Sequence, residues 1–217
     1  MKFRQPFLYT FLLISILFAS SCKPHKSLPI YGMRDTKAIK NSDGSAGVDT
    51  VYQTIPAFKL LNQDSVYITN EHFKNKIYIA DFFFTSCNTI CPIMHRNLKK
   101  IYGKFADNPD VMFLSHTIDF KYDTPSRLKT YARKLGVDGP KWQFVYGPKD
   151  TVYGLATKSY LVSVEADSTD KQGYVHQGYL VLIDKDRRIR GAYDGTNPEQ
   201  VAQLEKDIPV LLAEDKK

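Results

Sequence analysis

The chain has 217 residues, enough for one ordinary domain with appended segments. Hydrophobic residues make up 43% of it and aromatic residues 13%, so it can bury a sizeable core, and an intrinsically disordered chain is excluded. The formal net charge is +7, from 30 basic and 23 acidic residues, but the basic residues are scattered among acidic ones. This distribution indicates a mixed solvated surface and argues against nucleic-acid binding.

The N-terminal segment has the pattern of an export signal. A short basic leader, MKFRQ, precedes the apolar run PFLYTFLLISILFA and the small residues that end at Cys22. The run is short for a membrane-spanning helix, which needs about 20 apolar residues. The ending ASSC resembles the lipobox of bacterial lipoproteins, with Ala19 in place of the usual leucine, and this implies that Cys22 is lipidated. We therefore predict a lipoprotein-type signal peptide over residues 1–21 and a lipid-anchored protein on the extracytoplasmic side of the cell membrane. An uncleaved anchor is the alternative.

Residues 22–50 are polar, show no apolar period and end in a cluster of glycine, serine and aspartate. This composition predicts a flexible tether. The folded domain is predicted to span residues 51–214.

The domain begins with a series of alternating strands and helices. The stretch IPAFKLLNQDSVYI indicates two short strands around the turn-prone NQDS, and the apolar runs KIYIADFFF and VMFLSHTI indicate strands buried on both faces. Between these two runs, PIMHRNLKKIYGKF has apolar residues at a helical period. The stretch TPSRLKTYARKLG predicts a second helix, with Thr124 as its N-cap, Pro125 in its first turn and Gly136 at its end.

The C-terminal part continues in the same way. QFVYG indicates a short strand, PKDTVYGLATKSY a helix, and YLVLID with IRGAYDG a β-hairpin. NPEQVAQLEKDIPVLLAE predicts a closing helix, in which Pro209 is expected to cause a bend. This order predicts an α/β fold with a mixed central sheet covered by helices on both faces. A buried strand that leads directly into a cysteine pair at a helix start is the arrangement of thioredoxin-like folds.

Cys87 and Cys91 lie four residues apart at the expected start of the first helix. Pro92 is tolerated in a first helical turn, so this helix is expected to begin between Asn88 and Cys91. Unpaired N–H groups at a helix start favour thiolates, which predicts lowered pKa values for the pair. Helical residues four apart have Cα atoms about 6 Å apart, within the disulfide range. The pair can therefore close a disulfide or bind one metal ion.

Two thiolates do not complete a metal site. A structural zinc ion needs four protein ligands, and the chain has no second cysteine pair, whereas Cu(I) accepts two thiolates and one imidazole. His25 lies in the tether. Three of the other histidines are candidates for the third ligand: His95 on nearly the same helical face as Cys91, His116 at the end of a buried strand, and His176 in a loop that can fold over the cysteines.

Four stretches, in order, resemble successive signatures of the Sco/SenC family across residues 55–212: ADFFFTSCNTICPIM, HTIDFKYDTPSRLKTYA, WQFVYG and YVHQGYLVLIDKDRRIRGAYDGT. The resemblance implies a thioredoxin-like fold and one copper ion bound by Cys87, Cys91 and His176. It also implies delivery of copper to the binuclear copper centre of cytochrome c oxidase, or reduction of the cysteines of that centre. The implied partner is the oxidase subunit that carries the centre, or another copper or thiol protein.

Four further positions bear on such a site. Asp119 and His116 could contact the metal ligands from the side away from the metal. The alternative for Asp119 is to cap the loop, and the alternative for His116 is a core or capping role. In many relatives a proline follows the first cysteine and an aspartate precedes the histidine, where this chain has Asn88 and Val175. Val175 therefore removes a possible partner of the His176 ring.

Other functions remain open for the cysteine pair. A thiol–disulfide reductase of partner cysteines is one, although dedicated oxidoreductases separate their cysteines by two residues rather than three. A thiol peroxidase, with Cys87 attacked and Cys91 resolving, and a purely structural disulfide are the others. We expect a copper chaperone in which the redox state of the pair gates metal binding.

Overall fold

The computed structural model describes residues 27–137, 139–166 and 174–214, and of residues 166 and 174–176 it describes the backbone alone. The strands, in chain order, are β1 (Arg34–Lys40), β2 (Ala46–Tyr52), β3 (Lys59–Asn62), β4 (Tyr67–Thr69), β5 (Ile77–Phe83), β6 (Val111–Thr117), β7 (Trp142–Tyr146), β8 (Val164–Ala166), β9 (Tyr174–His176), β10 (Tyr179–Ile183) and β11 (Ile189–Asp194). The helices are α1 (Ile90–Lys104), α2 (Pro125–Leu135), α3 (Lys149–Gly154) and α4 (Pro198–Glu214). A 3-10 turn spans Asn70–Phe73, and a π-helical turn, Leu155–Tyr160, continues α3.

Seven of the strands form one mixed sheet in the order β11-β10-β5-β6-β7-β3-β4. The pairs β5–β6 and β6–β7 are parallel, and the other pairs of this sheet are antiparallel. The carboxyl ends of β5, β6 and β7 therefore meet at one edge, so the loops after them are neighbours. The predicted mixed sheet is confirmed.

Helices cover both faces of this sheet because its central strand is buried on both sides. All seven residues of β5 are buried. On one face the Phe83 ring contacts the rings of His95 from α1 and Tyr131 from α2, with centroids 4.8 and 5.2 Å away. On the other face Phe82 packs edge-on against Tyr160 of the π-helical turn, 5.5 Å between centroids. The sheet thus separates two cores.

The helix boundaries follow the capping signals of the sequence. At the start of α2 the Thr124 side chain accepts the Arg127 N–H (3.3 Å), Pro125 occupies the first turn, and Gly136 ends the helix with φ 70°. At the start of α4 the Asn197 side chain accepts backbone N–H groups in the same way. The predicted ends of α2 and the start of α4 are confirmed, and Pro209 lies inside α4.

The segment predicted to be an aperiodic tether contains regular structure. Strands β1 and β2 form an antiparallel hairpin that pairs Arg34 with Tyr52 at one end and Lys40 with Ala46 at the other. Nearly all of its side chains are exposed, so the hairpin lacks the alternation of buried and exposed residues by which a strand is recognised. The signal peptide and Cys22 lie outside the described residues. Within the described ranges, no helix is both long and apolar enough to cross a membrane.

Candidate metal and redox site

The cysteine pair lies where β5 leads into α1, at the edge formed by the carboxyl ends of the parallel strands. The Cys87 N–H donates to the Phe84 carbonyl (3.2 Å), which folds the connecting loop into a turn. Helix α1 begins at Ile90, within the predicted window, and Thr89 is its N-cap. The Thr89 hydroxyl makes no capping hydrogen bond and instead lies 3.6 Å from the Cys87 sulfur. The loop therefore presents Cys87 at the first turn of α1, next to Cys91.

The two cysteines are thiols that are not joined in a disulfide bond, and both are buried. Cys87 is 9% exposed and Cys91 is 0% exposed. The hydrogen bond with Cys87, together with burial, raises the pKa of the Cys91 thiol far above its usual range. The predicted lowering of the pKa is thus wrong for Cys91, because burial and the neighbouring sulfur outweigh the helix start. Cys91 stays a protonated thiol at neutral pH until a metal ion or a disulfide bond takes its sulfur.

The backbone brings His176 towards this helix start. Strand β9 pairs antiparallel with β8, with His176 opposite Val164. The His176 side chain lies outside what the structure describes. Two residues on, a Cβ added at Gly178 would lie 3.5 Å from Cδ1 of Ile90 and 4.0 Å from Sδ of Met94. Two residues span at most about 7 Å, so the His176 backbone lies within about 7 Å of Gly178, which packs on the first turn of α1.

A second contact holds this segment in place. The Gly195 N–H donates to the Gly178 carbonyl (2.7 Å), and the Asn97 side chain of α1 donates to the Gly195 carbonyl (2.9 Å). The residues after β9 and after β11 are therefore both joined to the helix that carries Cys91. The backbone at Gly178, two residues after β9, is thereby held against the helix that carries Cys91.

His95 is engaged in the interior. Its Nδ1 lies 2.8 Å from the Tyr131 hydroxyl and its Nε2 lies 3.1 Å from a carboxyl oxygen of Asp81. The other carboxyl oxygen of Asp81 accepts from the Ser115 hydroxyl (2.6 Å), which in turn accepts from the Trp142 indole N–H (2.8 Å). With both ring nitrogens used, His95 has none left for a metal ion at the cysteines. The sequence reasoning missed this buried polar chain, although an aspartate within the apolar run IYIADFFF was a signal for it.

The SCO1/SenC family model matches residues 48–209, which is most of the chain. The chain belongs to the SCO1/SenC family. It is similar to a SCO1/SenC family lipoprotein from Bacillus anthracis str. Ames, with a TM-score of 0.67 and 25% identity over 74% of this chain and 95% of that one. It is also similar to BsSco, a member of the Sco family of cytochrome c oxidase assembly proteins in which a disulfide switch was identified (TM-score 0.65, 27% identity, 73% and 93% of the two chains). A protein of Stutzerimonas stutzeri whose name suggests copper binding is 27% identical over 165 residues, 74% of this chain and 78% of that protein. The thioredoxin-like fold is thereby confirmed.

In this SCO1/SenC family member, His116 occupies the core on the opposite face of the sheet from His95. Its ring stacks on Phe82 (4.7 Å between centroids) and lies 5.3 Å from the Tyr160 ring. Its Nδ1 is 3.2 Å from the Asp81 carbonyl oxygen, and its Nε2 has no hydrogen-bond partner among the described residues. Burial lowers the pKa of His116 to about 4. The described contacts are those of a neutral core histidine.

The two aspartates of the loop after β6 have different roles in this family member. Asp119 is buried, and its carboxyl group accepts the backbone N–H groups of Lys121 (3.2 Å) and Tyr122 (3.0 Å), which shapes the loop. Asp123 accepts both the N–H (3.0 Å) and the hydroxyl of Thr85, in the loop that precedes Cys87. Asp123 is therefore a group that ties the cysteine loop to its neighbour, and the sequence reasoning did not single it out for this role.

The donor set fits a soft metal ion. Among the described side chains, no three histidine, cysteine, aspartate or glutamate groups converge to hold a metal ion. Two thiols in contact are nevertheless the ligands that Cu(I) prefers, and one imidazole would complete three-coordinate binding. That His176 is the third ligand stays a prediction. It also stays a prediction that Asp119 and His116 support the metal ligands from behind.

Proposed function

We propose that this SCO1/SenC family member is an extracytoplasmic copper chaperone, held at the cell membrane by a lipid on Cys22, which assists assembly of the copper centre of cytochrome c oxidase. It would bind one copper ion through Cys87, Cys91 and His176. The observation that carries this proposal is the contact between two buried thiols at the start of α1, with the chain after β9 packed on the same turn.

The redox state of the pair would gate loading. Only the dithiol form offers two sulfurs to copper, and binding releases their protons. A disulfide between Cys87 and Cys91 would remove both ligands at once, and the oxidation would release two protons and two electrons. Two similar proteins support these two states, since one is named for copper binding and the other for a disulfide switch.

Copper titration of the reduced chain lacking residues 1–22 tests the proposal. The expected result is one copper ion per chain, with strong thiolate-to-copper absorption for Cu(II). We expect Cys87→Ala and Cys91→Ala to abolish tight binding, and His176→Ala to weaken it and shift the absorption bands. His72→Ala is the matched control, because His72 is exposed in the 3-10 turn. Unchanged binding by His176→Ala would show that the third ligand is wrong, and no binding by the parent chain would refute the function.

A second candidate function is reduction of partner disulfides. The observation that favours it is the small difference in exposure within the buried pair, 9% for Cys87 and 0% for Cys91, because the more accessible sulfur can attack while the inner one resolves. The Cys87 thiolate would attack one partner sulfur to form a mixed disulfide, and the other partner sulfur would leave as a thiolate. The Cys91 thiol would then give its proton to the released partner thiolate and attack the Cys87 sulfur, releasing the second partner thiolate, so that the partner is reduced and the pair oxidised. Reduction of a disulfide-bonded peptide by copper-free protein, unaffected by His176→Ala, would support this function over copper delivery.

A further inference from the structure

An open groove of about 220 Å³ lies beside the loop that carries Cys87. Thr85, two residues before Cys87, forms one wall. The other wall is α2, which contributes Ser126, Arg127, Thr130, Tyr131 and Lys134. None of these six lining residues is acidic.

The α2 residues of this groove form one face of the helix. They recur at one- and three-residue intervals over two turns, which places them on a common stripe, while Leu128 and Ala132 are buried against the sheet. The whole helix carries cations and no carboxylates, namely Arg127, Lys129, Arg133 and Lys134. An exposed stripe with this composition can attract anions along its length.

The cations inside and outside the groove differ in their partners. Lys129 points away from the groove and is paired with Asp64 at 2.6 Å. Arg127 is exposed, and its Nε lies 3.9 Å from Asp123, whose own side chain is fully buried and already accepts hydrogen bonds from two threonines. Lys134 is exposed and is within 4 Å of no described carboxylate. The groove therefore offers two exposed positive charges about 10 Å apart along the helix, with hydroxyl donors between them.

The groove is connected to the cysteine site by hydrogen bonds. Thr85 is held by Asp123, and the Tyr131 hydroxyl bonds to His95, one turn after Cys91 on α1. A molecule that occupies the groove would therefore touch two side chains that support the cysteine loop and the cysteine helix. Binding in the groove would place it beside the loop that carries Cys87.

The loop that leads into α2 adds an aromatic surface. It exposes Phe120 (36%) and Tyr122 (56%), and the ammonium groups of Lys149 and Lys121 lie over these two rings at 5.4 and 5.2 Å. Since β6 is the neighbour of β5, this loop lies beside the cysteine loop. Exposed aromatic residues next to cations are typical of protein interfaces and are of little use for a small anion.

We propose that this groove and the aromatic loop together dock an acidic segment of the partner protein that exchanges copper or a disulfide with Cys87. Carboxylates of the partner bind Arg127 and Lys134, and its apolar side chains cover Phe120 and Tyr122. The proposal rests on the proposed function only for the exchange itself, because the docking needs neither copper nor a reactive cysteine.

The test uses the full chain in detergent and a fluorescein-labelled peptide in which glutamate alternates with leucine, with no cysteine. Matched peptides carry glutamine or lysine in place of glutamate. Fluorescence anisotropy should show binding of the glutamate peptide alone, weakened by added salt. The double variant Arg127→Glu/Lys134→Glu should lose about tenfold or more in affinity, and Tyr122→Ala should lose about threefold or more. Lys40→Glu/Lys206→Glu, with the same change in net charge at exposed sites elsewhere, should stay within about twofold.

Three results would overturn the proposal. One is equal affinity of the parent chain and the groove variant, and another is an equal loss in the control variant. The third is that inorganic phosphate binds as tightly as the glutamate peptide and displaces it. This result would assign the groove to a small anion. Copper titration of the same variants separates this proposal from the chaperone function, because Arg127→Glu/Lys134→Glu should bind copper like the parent. Peptide binding without copper binding would leave the docking surface standing and refute the chaperone.

Discussion

Replacement of His95 by leucine is expected to lower the free energy of unfolding by about 3 kcal/mol and to leave copper binding intact. Leucine is close to histidine in volume, so the main loss is polar. The variant removes two hydrogen bonds, one to the partly buried Tyr131 hydroxyl at 2.8 Å and one to the fully buried Asp81 carboxyl at 3.1 Å. Each buried polar group left without its partner costs about 1–3 kcal/mol, and the two together give the expected value.

His95→Ala should cost about 2 kcal/mol more than His95→Leu, because it also leaves a cavity among Phe83, Tyr131 and Trp142. Urea unfolding followed by fluorescence measures both variants, since Trp142 is the single tryptophan of the chain and its ring centroid is 5.8 Å from that of His95. Both losses are large against the 5–15 kcal/mol by which domains are typically stable.

His72→Leu is the control for this series. His72 is exposed, and its replacement loses only the hydrogen bond that its Nδ1 accepts from the Thr69 N–H (3.2 Å), so the free energy of unfolding should change by no more than about 1 kcal/mol. A His95→Leu variant as stable as the parent would refute the structural role of the buried chain. A folded His95→Leu variant that no longer binds copper would instead make His95 a ligand and refute its exclusion from the site.

Three further predictions concern protonation, thiol reactivity and packing. The pKa of His116 is about 4 in the folded protein against 6.5 for an unperturbed histidine, so the unfolded chain takes up a proton first as the pH falls. The fold should therefore lose about 3 kcal/mol between pH 6.5 and pH 4, and His116→Phe should remove that part of the pH dependence of urea unfolding; an unchanged slope would contradict it. Iodoacetamide at pH 7 should alkylate Cys87 about tenfold or more faster than Cys91, measured by peptide mass spectrometry, because Cys91 is buried and its pKa is raised; equal rates would show that the two thiols are equivalent. Gly195→Ala should destabilise the fold by about 1–3 kcal/mol in the same urea assay, because the new Cβ would lie 2.6 Å from Cγ of Met94; parent-like stability would show that the site relaxes freely.

The order of elements in the central sheet could be predicted from the sequence because it depends on local patterns. Continuous apolar runs gave β5 and β6, and apolar residues at a helical period gave α1. Thr124 and Gly136 marked the ends of α2 through short-range hydrogen bonds and a left-handed backbone position. The hairpin of β1 and β2 could not be recognised in this way, since it buries too little surface to leave an apolar pattern.

The sequence alone therefore determined the fold class, the cysteine pair at the start of α1 and the family, because these are written in local patterns and ordered motifs. Only the tertiary structure decided what surrounds the pair. Spacing placed His95 on the helical face of Cys91, but its partners Asp81 and Tyr131 lie 14 and 36 residues away along the chain. The raised pKa of the Cys91 thiol and the basic groove between Thr85 and α2 likewise depend on burial and on contacts between distant segments. Such contacts form only when the sheet brings the loops after β5 and β6 together at one edge, so no local pattern records them.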